Sequence, residues 1–130
     1  MVALQHQPQM AVLGGGAWGT ALACVLAQQH AAVTLWAHEA DTVKAINEAH
    51  ENPQFLPDIT LPAAIRATDN LADLAAADII LMVVPAQFAR PVLVELAQHN
   101  KSAMLVLCAK GIERGSGKLM SDVASEIWPR

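Results

Sequence analysis

Met10–Cys24, MAVLGGGAWGTALAC, is the stretch on which the fold turns. A short apolar run, Met10–Leu13, leads into Gly14-x-Gly16-x-x-Gly19, and a helix-like run opens with Thr20, Ala21 and Leu22. The apolar run suits a strand buried on both faces, as a parallel sheet requires. Gly14 permits the tight turn out of that strand. Gly16, lacking a Cβ, lets a pyrophosphate approach the backbone, and Gly19 lets the next helix pack closely on the strand. The helix N-terminus adds free N–H groups and the positive end of its dipole. Three glycines at this spacing also arise by chance in Gly-rich turns, so the weight lies in the context: a strand before, a helix after, and a second strand at the right distance. The stretch predicts dinucleotide binding; the plain alternative is a structural βα turn.

Outward from it, strands and helices alternate. Helix-like spacing covers Trp18–Gln29, with Ala21, Leu22, Val25 and Leu26 in register. Ala32–Trp36 reads as a second buried strand, so the first unit is βαβ. Glu39–His50 reads as a helix with Val43 and Ile46 inward, ended by Asn52-Pro53. Pro53–Pro62, PQFLPDITLP, holds three prolines in ten residues and predicts an irregular loop. Ile65–Ala67 reads as a short edge strand, and Leu71–Ala76 as a short helix capped by Thr68 or Asp69. Asp78–Val84, DIILMVV, is the clearest central strand, stopped by Pro85. Gln87–Gln98 is the next helix, with Pro91 expected in its first turn. Ala103–Leu107 reads as another buried strand. Lys118–Trp128 reads as a last helix, with Leu119, Met120, Val123 and Ile127 on one face. The fold class is therefore α/β, a doubly wound parallel sheet of the Rossmann-like kind. Residues 1–8 read as a polar leader and 9–130 as one domain.

Bulk properties narrow the function. A chain of 130 residues, 54% hydrophobic and 15% charged, suits one globular domain and excludes disorder. A net charge of −4 with no Lys/Arg cluster argues against nucleic acid. No apolar run reaches the roughly 20 residues that membrane insertion needs. The first residues lack a signal-peptide pattern, and Cys24 and Cys108, inside apolar runs without metal-site spacing, read as buried reduced thiols of a cytoplasmic protein. No metal site is expected.

In doubly wound sheets the ligand lies outside the carboxyl ends of the strands. That rule selects Gly14–Gly19, Ala37–Glu39, Pro85–Phe88 and Ala109–Gly111, which should meet along one edge. Trp36-Ala37-His38-Glu39 offers both a cation and a carboxylate to the adenosine ribose, so the choice of NADP or NAD stays open. Trp18 either covers the pyrophosphate or packs under the helix. Phe88 either stacks beside the cofactor or anchors its helix, whereas Phe55 reads as loop packing. Lys110, between a buried strand and Gly111, is placed to hold a phosphate or polarise a carbonyl. His6, His30, His50 and His99 lie in polar segments and read as exposed bystanders.

Several motifs then coincide: Gly14-Gly-Gly-Ala-Trp-Gly-Thr20, Leu35-Trp36-Ala37-His38, Phe55-Leu56-Pro57 with Leu61-Pro62, Val84-Pro85-Ala86-Gln87-Phe88, and Lys110-Gly111-Ile112-Glu113 with Leu119-Met120-Ser121. Together they resemble the bacterial NAD(P)-dependent glycerol-3-phosphate dehydrogenases, over nearly the whole chain from Met10. The resemblance implies reversible reduction of dihydroxyacetone phosphate to sn-glycerol 3-phosphate, for phospholipid synthesis. It implies that Ala17 and Trp18 lie on the cofactor pyrophosphate and His38 near the adenosine 2′ position. Phe88 would border the nicotinamide side, and Lys110 would touch cofactor and substrate. Ala17 stands where serine is common, and His38 where many relatives have arginine; a histidine is only partly charged near neutral pH, which weakens the case for NADP. Family members carry a second, helical domain that supplies the catalytic lysine, an aspartate and most of the substrate phosphate site. The chain thus reads as the cofactor-binding half, with no catalytic residue of its own. A face left bare by the missing domain predicts association in solution, a homodimer in the simplest case. The alternative from the binding class is a stand-alone redox-sensing domain. The close enzyme rival is a 6-phosphogluconate or UDP-glucose dehydrogenase type.

Overall fold

The computed structural model describes residues 7–29 and 32–128; most of the expected leader, with His6, lies outside them, as does His30. Five parallel strands form one sheet: β1 (Met10–Leu13), β2 (Val33–Trp36), β3 (Ile65–Thr68), β4 (Ile79–Met82) and β5 (Met104–Leu107), in the order β3-β2-β1-β4-β5. β1 is central, with Met10 opposite both Val33 of β2 and Ile79 of β4. Helices α1 (Ala17–Ala27) and α2 (Ala40–Ala49) link β1, β2 and β3; α3 (Ala86–Leu96) links β4 to β5, and α4 (Met120–Ile127) follows.

Alternate strand residues feed two apolar layers, as the period of two requires. Val12, Leu35, Ile65 and Ala67 pack with Ala23 and Ile46 on the α1–α2 side. Ala11, Leu13, Ile80 and Met82 pack with Leu93 and Leu96 of α3 and Val123 of α4 on the other. The chain winds one way from β1 to β3, then returns across the sheet to β4, so the order reverses between β1 and β4. That reversal opens the crevice in which such sheets bind ligands.

Several expectations need correction. The face that α1 buries is small, Gly19, Thr20 and Ala23, while Val25 is 54% exposed. Close packing on the sheet selects small residues there, and the larger ones flank the contact. α2 ends before Asn52-Pro53, because His50 turns left-handed at φ 54°. His50 is half-buried, not exposed. The 71–74 segment is a single 3₁₀ turn capped by Asn70, whose side chain accepts from the Ala72 N–H at 3.0 Å, rather than by Thr68 or Asp69. Pro91 lies inside α3, beyond the first turn, on an exposed face where the N–H it lacks would have met the Gln87 carbonyl. β5 is an edge strand, not a buried one: Met104 is 65% exposed. Leu119 precedes α4 and is exposed, bridging to Ile112. Cys24 and Cys108 are free and only partly buried, and burial pushes both thiols above their ordinary pKa.

Candidate functional site

The glycine turn is built by close contacts. Gly14 has φ +133°, and a Cβ there would lie 2.9 Å from the Val84 amide nitrogen. Its own N–H donates to the Trp36 carbonyl at 2.9 Å. The turn is thus wedged between the ends of β2 and β4. A Cβ on Gly19 would stand 1.9 Å from the Gly14 carbonyl oxygen, so only glycine lets α1 sit this close to β1. Gly16 differs: a Cβ built on it meets nothing within 4 Å. The space above Gly16 is open, and it faces the start of α1.

No side chain caps that helix start, and no acidic residue occupies its first turn. The N–H groups of Ala17, Trp18 and Gly19 have no helical carbonyl to receive them. Helix dipole and free donors together favour an anion, and nothing on the helix competes for the place. The residues present therefore fit a pyrophosphate.

The turn forms one wall of a cleft of about 680 Å³, within the ~300–1,000 Å³ typical of small-molecule sites. Trp36, His38 and Glu39 at the end of β2 line a second side. Val84 and Pro85 after β4 line a third, with Phe88, Pro91, Val92 and Glu95 of α3. Those four lie at i, i+3, i+4 and i+7, one helical stripe facing the cleft. Trp18 is 60% exposed and lines the cleft, so it does not pack under α1. Phe88 is 62% exposed and lines the cleft, so it does not serve as a buried anchor. Phe55, read as loop packing, also lines the cleft. The indole of Trp36 lies 6.4 Å from the His38 ring, tilted by 50°.

Three of the four expected segments thus meet. The fourth, Ala109–Gly111, does not line the cleft, and Lys110 is solvent-exposed at the end of β5. The loop it begins is nevertheless strapped to α3. Gln87 donates to the Ile112 carbonyl at 2.9 Å and accepts from the Arg114 N–H at 2.9 Å. Arg90 grips both carboxylate oxygens of Glu113, at 2.8 and 2.9 Å, and reaches Glu126 of α4 at 2.7 Å. The Arg90 hydrogen bonds, with help from Ser116, hold the Glu113 carboxyl down to about 2. Glu126 also pairs with Lys118. A fork-to-fork arginine–carboxylate pair gives direction as well as attraction. Among the described residues, no group of three His, Cys, Asp or Glu could hold a metal, and no helix is long and apolar enough to cross a membrane.

The sequence reading missed Asn52. It is fully buried, and its amide donates to the Gly15 carbonyl at 3.0 Å and to Thr20 Oγ1 at 2.8 Å. The stripe on α3 and the Asn-x-x-Phe spacing were visible signals, but nothing in them says which faces turn inward.

A phosphate cradle at the reversal point of a doubly wound sheet, forming one wall of the cleft, defines a dinucleotide-binding domain of the dehydrogenase kind. Residues 9–130 match the family described as NAD-dependent glycerol-3-phosphate dehydrogenase N-terminus, and the chain belongs to that family. It is 54% identical over 122 residues to the glycerol-3-phosphate dehydrogenase [NAD(P)+] of Caulobacter vibrioides, covering 93% of this chain and 37% of that one. Against the Zymomonas mobilis enzyme of the same name it is 50% identical over 124 residues, 95% of this chain and 36% of that one. The crystal structure of glycerol-3-phosphate dehydrogenase from Coxiella burnetii superimposes with a TM-score of 0.87 at 30% identity, over 95% of this chain and 38% of that one. The chain spans a little over a third of the relatives it matches.

Proposed function

We propose that this chain is the cofactor-binding half of a glycerol-3-phosphate dehydrogenase that passes hydride reversibly between NAD(P)H and dihydroxyacetone phosphate, giving sn-glycerol 3-phosphate. The observation that carries this reading is the open cradle over Gly16 at the uncapped start of α1. A bound nicotinamide cofactor would supply the hydride. The chain's own part is to hold and orient it. The N–H groups of Ala17, Trp18 and Gly19 bind the pyrophosphate. His38 stands at the 2′ position of the adenosine ribose, and Trp18 and Phe88 flank the cleft. Lys110, outside the cleft at the start of the strapped loop, would reach the substrate phosphate. The groups that polarise the carbonyl and move its proton belong to the part of the relatives beyond this chain's span. The free Cys24 and Cys108 support a reducing cytoplasmic setting, and the bare β5 edge supports self-association as a homodimer.

The test has two arms. The chain, shown to be folded by circular dichroism, is titrated calorimetrically with NADPH and with NADH; saturable binding is expected. The same chain fused to the remaining part of the Caulobacter enzyme is then assayed for NADPH oxidation with dihydroxyacetone phosphate. A folded chain that binds neither cofactor, in a fusion that turns over nothing, sinks the proposal.

A further inference from the structure

We infer that Asn52 is a positioning residue that locks the Phe55 loop to the phosphate turn, so that cradle and aromatic wall bind cofactor as one unit. The inference rests on the cofactor reading above and deepens it.

Three observations carry it. Asn52 is 0% exposed, although asparagine is mostly found at surfaces. Its amide group is used on both sides. The Nδ2 hydrogens go to the phosphate turn, one to the Gly15 carbonyl and one to Thr20 Oγ1. Oδ1 accepts from the Phe55 N–H at 3.3 Å, and the Asn52 carbonyl accepts from the Leu56 N–H at 2.8 Å. Thr20, itself buried in the first turns of α1, donates on to the Gly15 carbonyl at 3.3 Å. A single side chain therefore joins Gly15, Thr20 and Phe55, three residues of which the first lies in the cradle and the last in the cleft wall. Chain distance makes the joint informative. Asn52 and Gly15 are 37 residues apart in sequence, and the loop between Pro53 and Pro62 has no strand or helix of its own to hold it. Packing alone would be met by an apolar side chain. A group with two donors and an acceptor is required only if the loop must sit at one height over the turn.

The test is a double-mutant cycle on NADPH affinity, run on the chain at a temperature where every variant is folded by circular dichroism. Phe55→Ala is expected to weaken binding by about tenfold, and Asn52→Ala by at least as much. The double variant should bind within about twofold of Asn52→Ala, because Phe55 contributes only while Asn52 holds it. Losses that multiply would show Asn52 to be ordinary scaffolding and overturn the inference. If Asn52→Ala does not fold, Thr20→Val serves in its place. It removes one of the two acceptors of Asn52 Nδ2 and keeps the shape, and its smaller loss should combine less than multiplicatively with that of Phe55→Ala; losses that multiply would overturn the inference here too. A wild-type chain that binds no NADPH would refute the cofactor reading first, before Asn52 comes into question.

Discussion

Gly16→Ala separates the cradle's role in folding from its role in binding. At φ −73° and ψ −172° the residue is extended backbone that alanine adopts without strain, and its Cβ would enter open space. Two folding effects oppose each other. Alanine stiffens the unfolded chain, worth about 0.4–1 kcal/mol of added stability. It is a poorer N-cap than glycine, which costs roughly the same. The melting temperature should therefore stay within about 5 °C of wild type. Binding is another matter. The methyl group would occupy the space above the free N–H groups of α1, holding the pyrophosphate off them. Losing two charge-assisted hydrogen bonds at about 1.5 kcal/mol each is roughly a hundredfold in affinity. Paired calorimetric titrations with NADPH and thermal melts of both chains decide it. A Gly16→Ala chain that binds like wild type would refute the placement of phosphate over Gly16. One that melts far below wild type would refute the openness of the turn.

Gly19→Ala should behave in reverse, since its Cβ would meet backbone at 1.9 Å; overpacking of this kind costs about 1–3 kcal/mol or more, read as a melting temperature lower by several degrees. A melt unchanged from wild type would count against the close α1–β1 contact. His38→Ala should cut the preference for NADPH over NADH by about tenfold, the worth of one charge-assisted hydrogen bond, in side-by-side titrations; equal losses for both cofactors would move His38 off the 2′ position. Glu113→Gln tests the strap by acid melts. The carboxyl drops from 4.5 to about 2 on folding, so its stabilisation is complete above pH ~4.5 and disappears as pH falls toward 2. The gap in melting temperature between wild type and variant should be constant above about pH 5 and close on acidification; a gap that widened would be the wrong sign.

The strands and the cradle were legible because both rest on local rules. Buried parallel strands read as unbroken apolar runs, and Gly14 and Gly19 stand where a Cβ would collide with neighbouring backbone. What escaped depends on long-range packing. The face of α1 could not be read from hydrophobicity, because close approach to the sheet rewards small size over apolar character. Ala103–Leu107 looked buried because its composition matches that of β4, yet composition does not record that β5 ends the sheet. Asn52 reads as a loop residue because Gly15 and Thr20, its partners, lie 37 and 32 positions away, and Phe55 does so because the cleft it lines is assembled from distant segments. Glu113 sits in the Lys110–Glu113 motif, but its bond to Arg90 crosses from one loop to another helix and leaves no periodic trace.

The strap between α3 and the loop after β5 also bears on conformational entropy. Fixing one residue's backbone costs roughly 1–2 kcal/mol, and Gly111, Gly115 and Gly117 make this loop one of the freest segments of the unfolded chain. Gln87 and Arg90 order it when the domain folds. If Lys110 meets a phosphate substrate as proposed, the substrate finds a loop already in place, and the affinity that would have gone into ordering it remains available for holding the phosphate.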